Sequence, residues 1–179
     1  MNPQGAVRIY WQVSGGTQEQ SWRALSLAVL IKTASNLRSA RLTVPFTFEQ
    51  VSGKLWQNIT RIGSGYAGAF GPTQNNPDAQ NIPDKGPLPQ GWYTIGEPTN
   101  ATRCGVEALP LTPDPKNVMF GRSGFFIHGD LIGDPGHASD GCIIMGKATR
   151  DIVAAAVASG DNRLQVVATA DQSPLDLQS

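Results

Sequence analysis

Both histidines of the chain, His128 and His137, and one of its two cysteines, Cys142, fall within a stretch of fifteen residues. Gly129, Gly133, Pro135, Gly136, Ser139 and Gly141 fill much of the space between them. Three chemistries are open to that set. As a metal site, the two imidazoles, the thiol and one of Asp130, Asp134 or Asp140 supply four donors, although the usual paired short spacings are missing. As structure, a strand-end histidine satisfied by backbone and a buried cysteine do no chemistry. As a catalytic pair, Cys142 attacks a carbonyl while His128 takes its proton and returns it to the departing amine. Gly141 then lets the backbone approach substrate, the amides of Gly141 and Cys142 face a developing oxyanion, and Ser139 orients the loop. A disulfide between Cys104 and Cys142 is a further possibility in an oxidising compartment. Only Arg103 is a polar neighbour of note for Cys104, so the local sequence favours Cys142 as the free, reactive thiol.

These residues need strands and turns to hold them. Phe125-Phe126-Ile127 delivers His128 at a strand end, and Cys142 returns after a glycine-rich loop. Upstream, residues 45–51 and 54–59 alternate apolar and polar side chains around Ser52-Gly53, the pattern of a hairpin. Gly63 to Gly71 lacks phosphate-loop spacing and suits close backbone packing, or failing that a groove wall. Residues 72–91 form a long Pro-, Asn- and Asp-rich loop, of a kind that usually binds something or stays mobile. Trp92 to Gly96 reads as a strand. Leu109 to Pro115 reads as a connection, and 117–120 and 124–128 as consecutive strands. One helix is expected over about 148–159, capped by Thr149, with Asp151 in its first turn, a buried stripe of Ile152, Val153, Ala156 and Val157, and Gly160 as its stop. Arg163 to Ala168 is the last strand.

The bulk composition narrows the class. A chain of 179 residues with 40% hydrophobic content can bury one domain-sized core. Fourteen basic residues balance fourteen acidic ones, which gives no field to gather nucleic acid or anionic lipid. Gly 20 and Pro 13 with few helix-period stretches favour a β-rich fold. No apolar run approaches the roughly 20 residues of a membrane span. Ala24 to Ile31 reads as a short structural helix or strand rather than a signal core, because it lies far from Met1 with no clear cleavage site after it.

The order of motifs Gly63–Gly71, Asn75-Asn76-Pro77, 81–93 (NIPDKGPLPQGWY), 126–130 (FIHGD) and 138–143 (ASDGCI) resembles the L,D-transpeptidase catalytic domain of bacterial cell-wall enzymes. It is most similar to the small transpeptidase-like effectors exported by type VI secretion systems, over about residues 46 to 170. That resemblance implies a mainly β sandwich or barrel with one helix towards the C-terminus, and no metal or cofactor. It implies Cys142 as nucleophile and His128 as base, with Gly141 and Cys142 as oxyanion donors and Ser139 in support. Gly129, Asp130, Asp140, Trp92 and Tyr93 are the candidate substrate-binding residues. The implied substrate is the tetrapeptide stem of peptidoglycan, from which D-alanine is removed or exchanged. The implied partners are a cognate immunity protein and a secretion-system component, with synthesis in the cytoplasm, secretion, and action in the periplasm of a target bacterium.

Two departures stand out. Many housekeeping members have histidine where Asp140 stands, and arginine or asparagine at the position of Ile144. Asp140 does not stabilise a thiolate by charge, so any lowering of the thiol pKa has to come from His128 and backbone dipoles. The expected organisation is an extension over 1–43, a catalytic domain over 44–170 and a tail over 171–179. A non-catalytic module that binds cell wall or a partner through residues 72–91 is the alternative. A papain-like amidase fits less well, since there the cysteine precedes the histidine.

Overall fold

The structure is a computed structural model that describes residues 43–169. The expected extension over 1–43, but for Thr43, the apolar run Ala24 to Ile31 and the tail over 171–179 lie outside the described residues.

Nine strands and one α-helix make up the described chain: β1 (Phe46–Glu49), β2 (Lys54–Gln57), β3 (Thr60–Ala67), β4 (Gly91–Ile95), β5 (Thr99–Ala101), β6 (Gly105–Pro113), β7 (Phe125–His128), β8 (Ile143–Met145), α1 (Lys147–Ala158) and β9 (Arg163–Val167). The strands run in the order β4-β9-β1-β2-β3-β8-β7-β6-β5, and a second pairing of β4 with β6 closes eight of them into a barrel. β5 is a short flap hydrogen-bonded to β6 alone. The mainly β fold with one helix agrees with the sequence. Closure leaves few free edges, which suits a sheet built of short strands.

Alternation on these strands builds the interior. Phe46, Phe48, Leu55, Leu109, Ile127, Ile143 and Leu164 are all fully buried, and each such side chain contributes roughly 1.5–3 kcal/mol of hydrophobic stabilisation. The β1–β2 hairpin turns at Gly53, whose φ of +65° explains the glycine. The glycines of β3 serve close packing. A Cβ on Gly63 would lie 2.3 Å from Thr149 Oγ1 of α1, and one on Gly65 would lie 1.7 Å from the carbonyl oxygen of Ile144 on β8.

Several local expectations need correction. Residues 117–120 form no strand. Asn117 N–H donates to Asp114 O and Arg122 N–H to Met119 O, two successive turns, and Phe120 sits at φ +53°. Leu109 to Pro113, expected as a connection, lie instead in β6. Pro110 is tolerated there because its carbonyl accepts from Gly96, one residue past the end of β4, so its missing N–H falls where that ladder stops. Helix α1 starts at Lys147 with Gly146 at its N-cap and no side-chain cap. Thr149 is therefore not a cap. It lies inside the first turn and reaches Ile62 O at 3.4 Å. Asp151 falls beyond the first turn, which holds no acidic residue. The buried face is Thr149, Val153 and Val157, whereas Ile152 is 44% exposed. No helix among the described residues is long and apolar enough to cross a membrane.

The contact of Gly65 with β8 gives a test. Gly65→Ala should lower stability by about 1–3 kcal/mol or more, read as a fall in denaturation midpoint, because Ile144 cannot yield without shifting β8.

Candidate active site

His128 ends β7, and Cys142 stands one residue before β8. The two strands pair in parallel, with Ile127 opposite Ile143 and His128 opposite Ile144. Carried back one residue, that register sets Cys142 opposite Phe126. Side chains alternate between the faces of a strand, so Phe126, His128 and Cys142 share one face, while Ile127 and Ile143 share the core face. As a result, Sγ of Cys142 and a ring nitrogen of His128 lie within 4.8 Å. Sγ of Cys104, at the turn between β5 and β6, lies within the same distance of both.

The tautomer of His128 is set by its neighbour. Nδ1 lies 2.8 Å from the carbonyl oxygen of Gly129, which can only accept, so Nδ1 carries the hydrogen and Nε2 keeps a free lone pair. Burial, with the charge of Arg150 adding to it, holds the imidazole pKa below its ordinary value. Burial also pushes the Cys142 thiol up to about 12, against a hydrogen bond to the Phe126 backbone that lowers it. The pair at rest is therefore a neutral imidazole and a protonated thiol. The one lowering contribution, the hydrogen bond to the Phe126 backbone, is outweighed by desolvation.

Ser139 and Gly141 shape the cysteine loop. Ser139 is 2% exposed. Its hydroxyl donates to Cys142 O at 2.7 Å and accepts from Gly68 N–H at 2.9 Å and Gly141 N–H at 3.0 Å. The Gly141 amide is thus committed to Ser139, which corrects its expected place in an oxyanion hole and leaves the Cys142 N–H as the candidate donor. Gly141 is needed for its conformation. Its φ is +136°, and a Cβ there would lie 2.3 Å from Arg122 Nη2 and 3.1 Å from Gly86 O.

Arg122, between the segments 117–120 and 124–128, is the hub behind this loop. Its Nη1 donates to Gln80 O at 2.6 Å and Pro87 O at 2.8 Å, and its Nη2 to Gly86 O at 2.8 Å and Asp140 O at 3.3 Å. The guanidinium also lies 5.1 Å from the Phe125 ring centre. One buried cation thereby ties the 72–91 loop to the residues just before Cys142.

Other expected site residues divide sharply. Asp140 is exposed on the cleft and pairs with Arg103 at 3.2 Å. Gly129 contributes the carbonyl that orients His128, and a Cβ there would lie 3.2 Å from Arg150 Nη2. Asp130 is spent on structure: it accepts from Tyr66 OH at 2.6 Å, Leu131 N–H at 2.9 Å and Gly136 N–H at 2.9 Å. Tyr93 is fully buried in the core, with its hydroxyl donated to Pro89 O. Trp92 lies under Arg163 at 5.4 Å and lines a different cavity with Pro45 and Lys116. None of these three lines this cleft. His137 pairs with Asp134 at 2.9 Å and stacks on Phe70 at 4.3 Å. Among the described residues the metal donor set that comes together is Cys104, His128 and Cys142, not the one built from both histidines. A soft divalent ion would find two sulfurs and one nitrogen there.

The cleft itself holds about 310 Å³, with Cys142 and His128 in its wall beside Phe126, Asp140, Arg103 and Cys104. Ser123, Gly124 and Asp84 complete much of its rim. Nothing in the sequence pointed to the 101–104 turn as part of it, since contact across so many residues follows only from the pairing of β6 with β7 and of β7 with β8.

A family model for the Tlde1 domain matches residues 62–169, which include every residue of this cleft. No curated protein and no solved structure matches the chain.

If neutral His128 is the base, alkylation of Cys142 by iodoacetamide should fall in acid only below the ordinary histidine value of 6.5, because a depressed pKa keeps the imidazole unprotonated to lower pH. In His128→Gln that acid limb should vanish, leaving slow alkylation that rises only in strong alkali. A limb centred above 6.5, or one unchanged in the variant, would move the base elsewhere.

Proposed function

The chain belongs to the Tlde1 family of type VI secretion effectors, and from that premise we propose that it is a cysteine L,D-transpeptidase or L,D-carboxypeptidase acting on peptidoglycan tetrapeptide stems. The observation that carries this is the pairing of Cys142 with a buried His128 whose Nδ1–H is given to Gly129. In that arrangement Nε2 takes the proton from Sγ as sulfur adds to the carbonyl of the diamino-acid residue. The Cys142 N–H faces the oxyanion, and the proton passes to the amine of departing D-alanine. Water or another amine then resolves the thioester, giving cleavage or exchange. The low dielectric that keeps the thiol protonated also strengthens each hydrogen bond to the transition state.

The setting follows from the same assignment. The protein is delivered by a secretion-system component into the periplasm of a target bacterium, where it removes donors for cross-linking, and a cognate immunity protein shields the producer. The catalytic unit spans 44–170. A non-catalytic module using residues 72–91 as a binding arm has less support, because three carbonyls of that loop are held by Arg122 and Leu88 is fully buried.

Incubated with purified muropeptides, the wild type should remove D-alanine from tetrapeptide stems or exchange it, seen by mass spectrometry. Cys142→Ala should abolish this, and His128→Gln should slow it on the order of a hundredfold or more with the fold intact by circular dichroism. Identical product profiles for wild type and Cys142→Ala would sink the mechanism.

A further inference from the structure

Cys104 lies on the turn that joins β5 to β6, far from Cys142 in sequence, yet the two sulfurs lie within 4.8 Å of one another, and both thiols are free and part-buried. The turn is tethered to the cysteine loop a second time, through Arg103 and Asp140 at 3.2 Å. The start of β6 is held in turn against α1, where Arg150 Nη1 donates to Glu107 O at 3.0 Å. The two sulfurs therefore already face one another on supported elements. A disulfide requires them to close to about 2.05 Å, and Gly105 at φ +79° beside Cys104 marks a tight turn able to adjust.

We propose that Cys104 and Cys142 form a reversible disulfide that caps the nucleophile, with a small-molecule or protein disulfide as oxidant. That it switches activity rests on the function proposed above; that the bond forms does not. Cys104 attacks the external disulfide as thiolate, giving a mixed disulfide and releasing one thiol. Cys142 then attacks the Cys104 sulfur, its proton passing through His128 to the second departing thiol. Two protein thiols are oxidised, one external disulfide is reduced to two thiols, and two protons travel with them. The closed bond occupies the sulfur lone pair that would attack substrate and draws the 101–104 turn over the cleft. A reductant reverses it.

The test equilibrates the full chain with glutathione buffers from reducing to oxidising, then blocks free thiols with iodoacetamide and maps peptides by mass spectrometry. The expected result is a linked peptide joining Cys104 to Cys142 that appears as the buffer becomes oxidising, with loss of turnover on muropeptides and recovery after dithiothreitol. Cys104→Ser and Cys104→Ala should both turn over substrate when reduced and lose the dithiothreitol-reversible internal link. Separate glutathione adducts on the two cysteines, or two alkylatable thiols at every poise, would overturn the pairing. So would a bound zinc ion in native mass spectra that holds both thiols reduced. A linked peptide in a protein whose reduced form turns over no muropeptide would uphold the pairing and count against the peptidase function alone.

Discussion

The parallel pairing of β7 with β8 is the constraint on which the site depends. Its register places Ile127 against Ile143 in the barrel interior. Because side chains alternate, the same register leaves His128 and Cys142 on the opposite face. A slip of β8 by one residue would turn Ile143 outward and bury Cys142 in the core. Hydrophobic burial and the geometry of the candidate site are therefore fixed by one choice. A parallel pair also needs a crossover connection, and residues 129–142 provide it, which is why the candidate site sits at a loop anchored at both ends.

That loop lacks regular structure, so its backbone groups need other partners. Tyr66, Asp130 and Ser139 supply them from inside the barrel wall and the loop itself. Arg122 supplies more from behind. Burying a guanidinium costs several kcal/mol, and its four carbonyl acceptors offset that cost only while all are in place. Their dependence on a single cation couples the position of Asp140 to the distant 80–87 segment. The loop before Cys142 is thus held by polar contacts that satisfy backbone, and the region near it has little freedom to be repacked by apolar substitutions alone.

Much of this was legible in the sequence and some of it was not. Alternation showed the β1–β2 hairpin, β7 and β9, and the clustering of His128 with Cys142 marked the site, because both signals are local. Pro110 and the Asn117 turn misled because a strand's tolerance for proline depends on which neighbour ends beside it. Trp92 and Tyr93 lay within a familiar-looking stretch, but their side chains belong to the core and to another cavity. Asp130 resembled a binding residue until its carboxylate was found to accept three hydrogen bonds. Cys104 and Arg122 carry no local signal at all, since their contacts are with residues distant in the chain. The charge pattern likewise gave no measure of burial, and burial decides that Cys142 rests as a thiol.

The central claim is that Cys142 carries the acyl group during turnover. Intact-protein mass spectrometry of acid-quenched reactions with a tetrapeptide stem measures this most directly. The expected result is a hydroxylamine-labile adduct of the stem acyl minus D-alanine, mapped to Cys142 and absent from Cys142→Ala. Product formation with no such adduct, or an adduct on any other residue, would contradict the account.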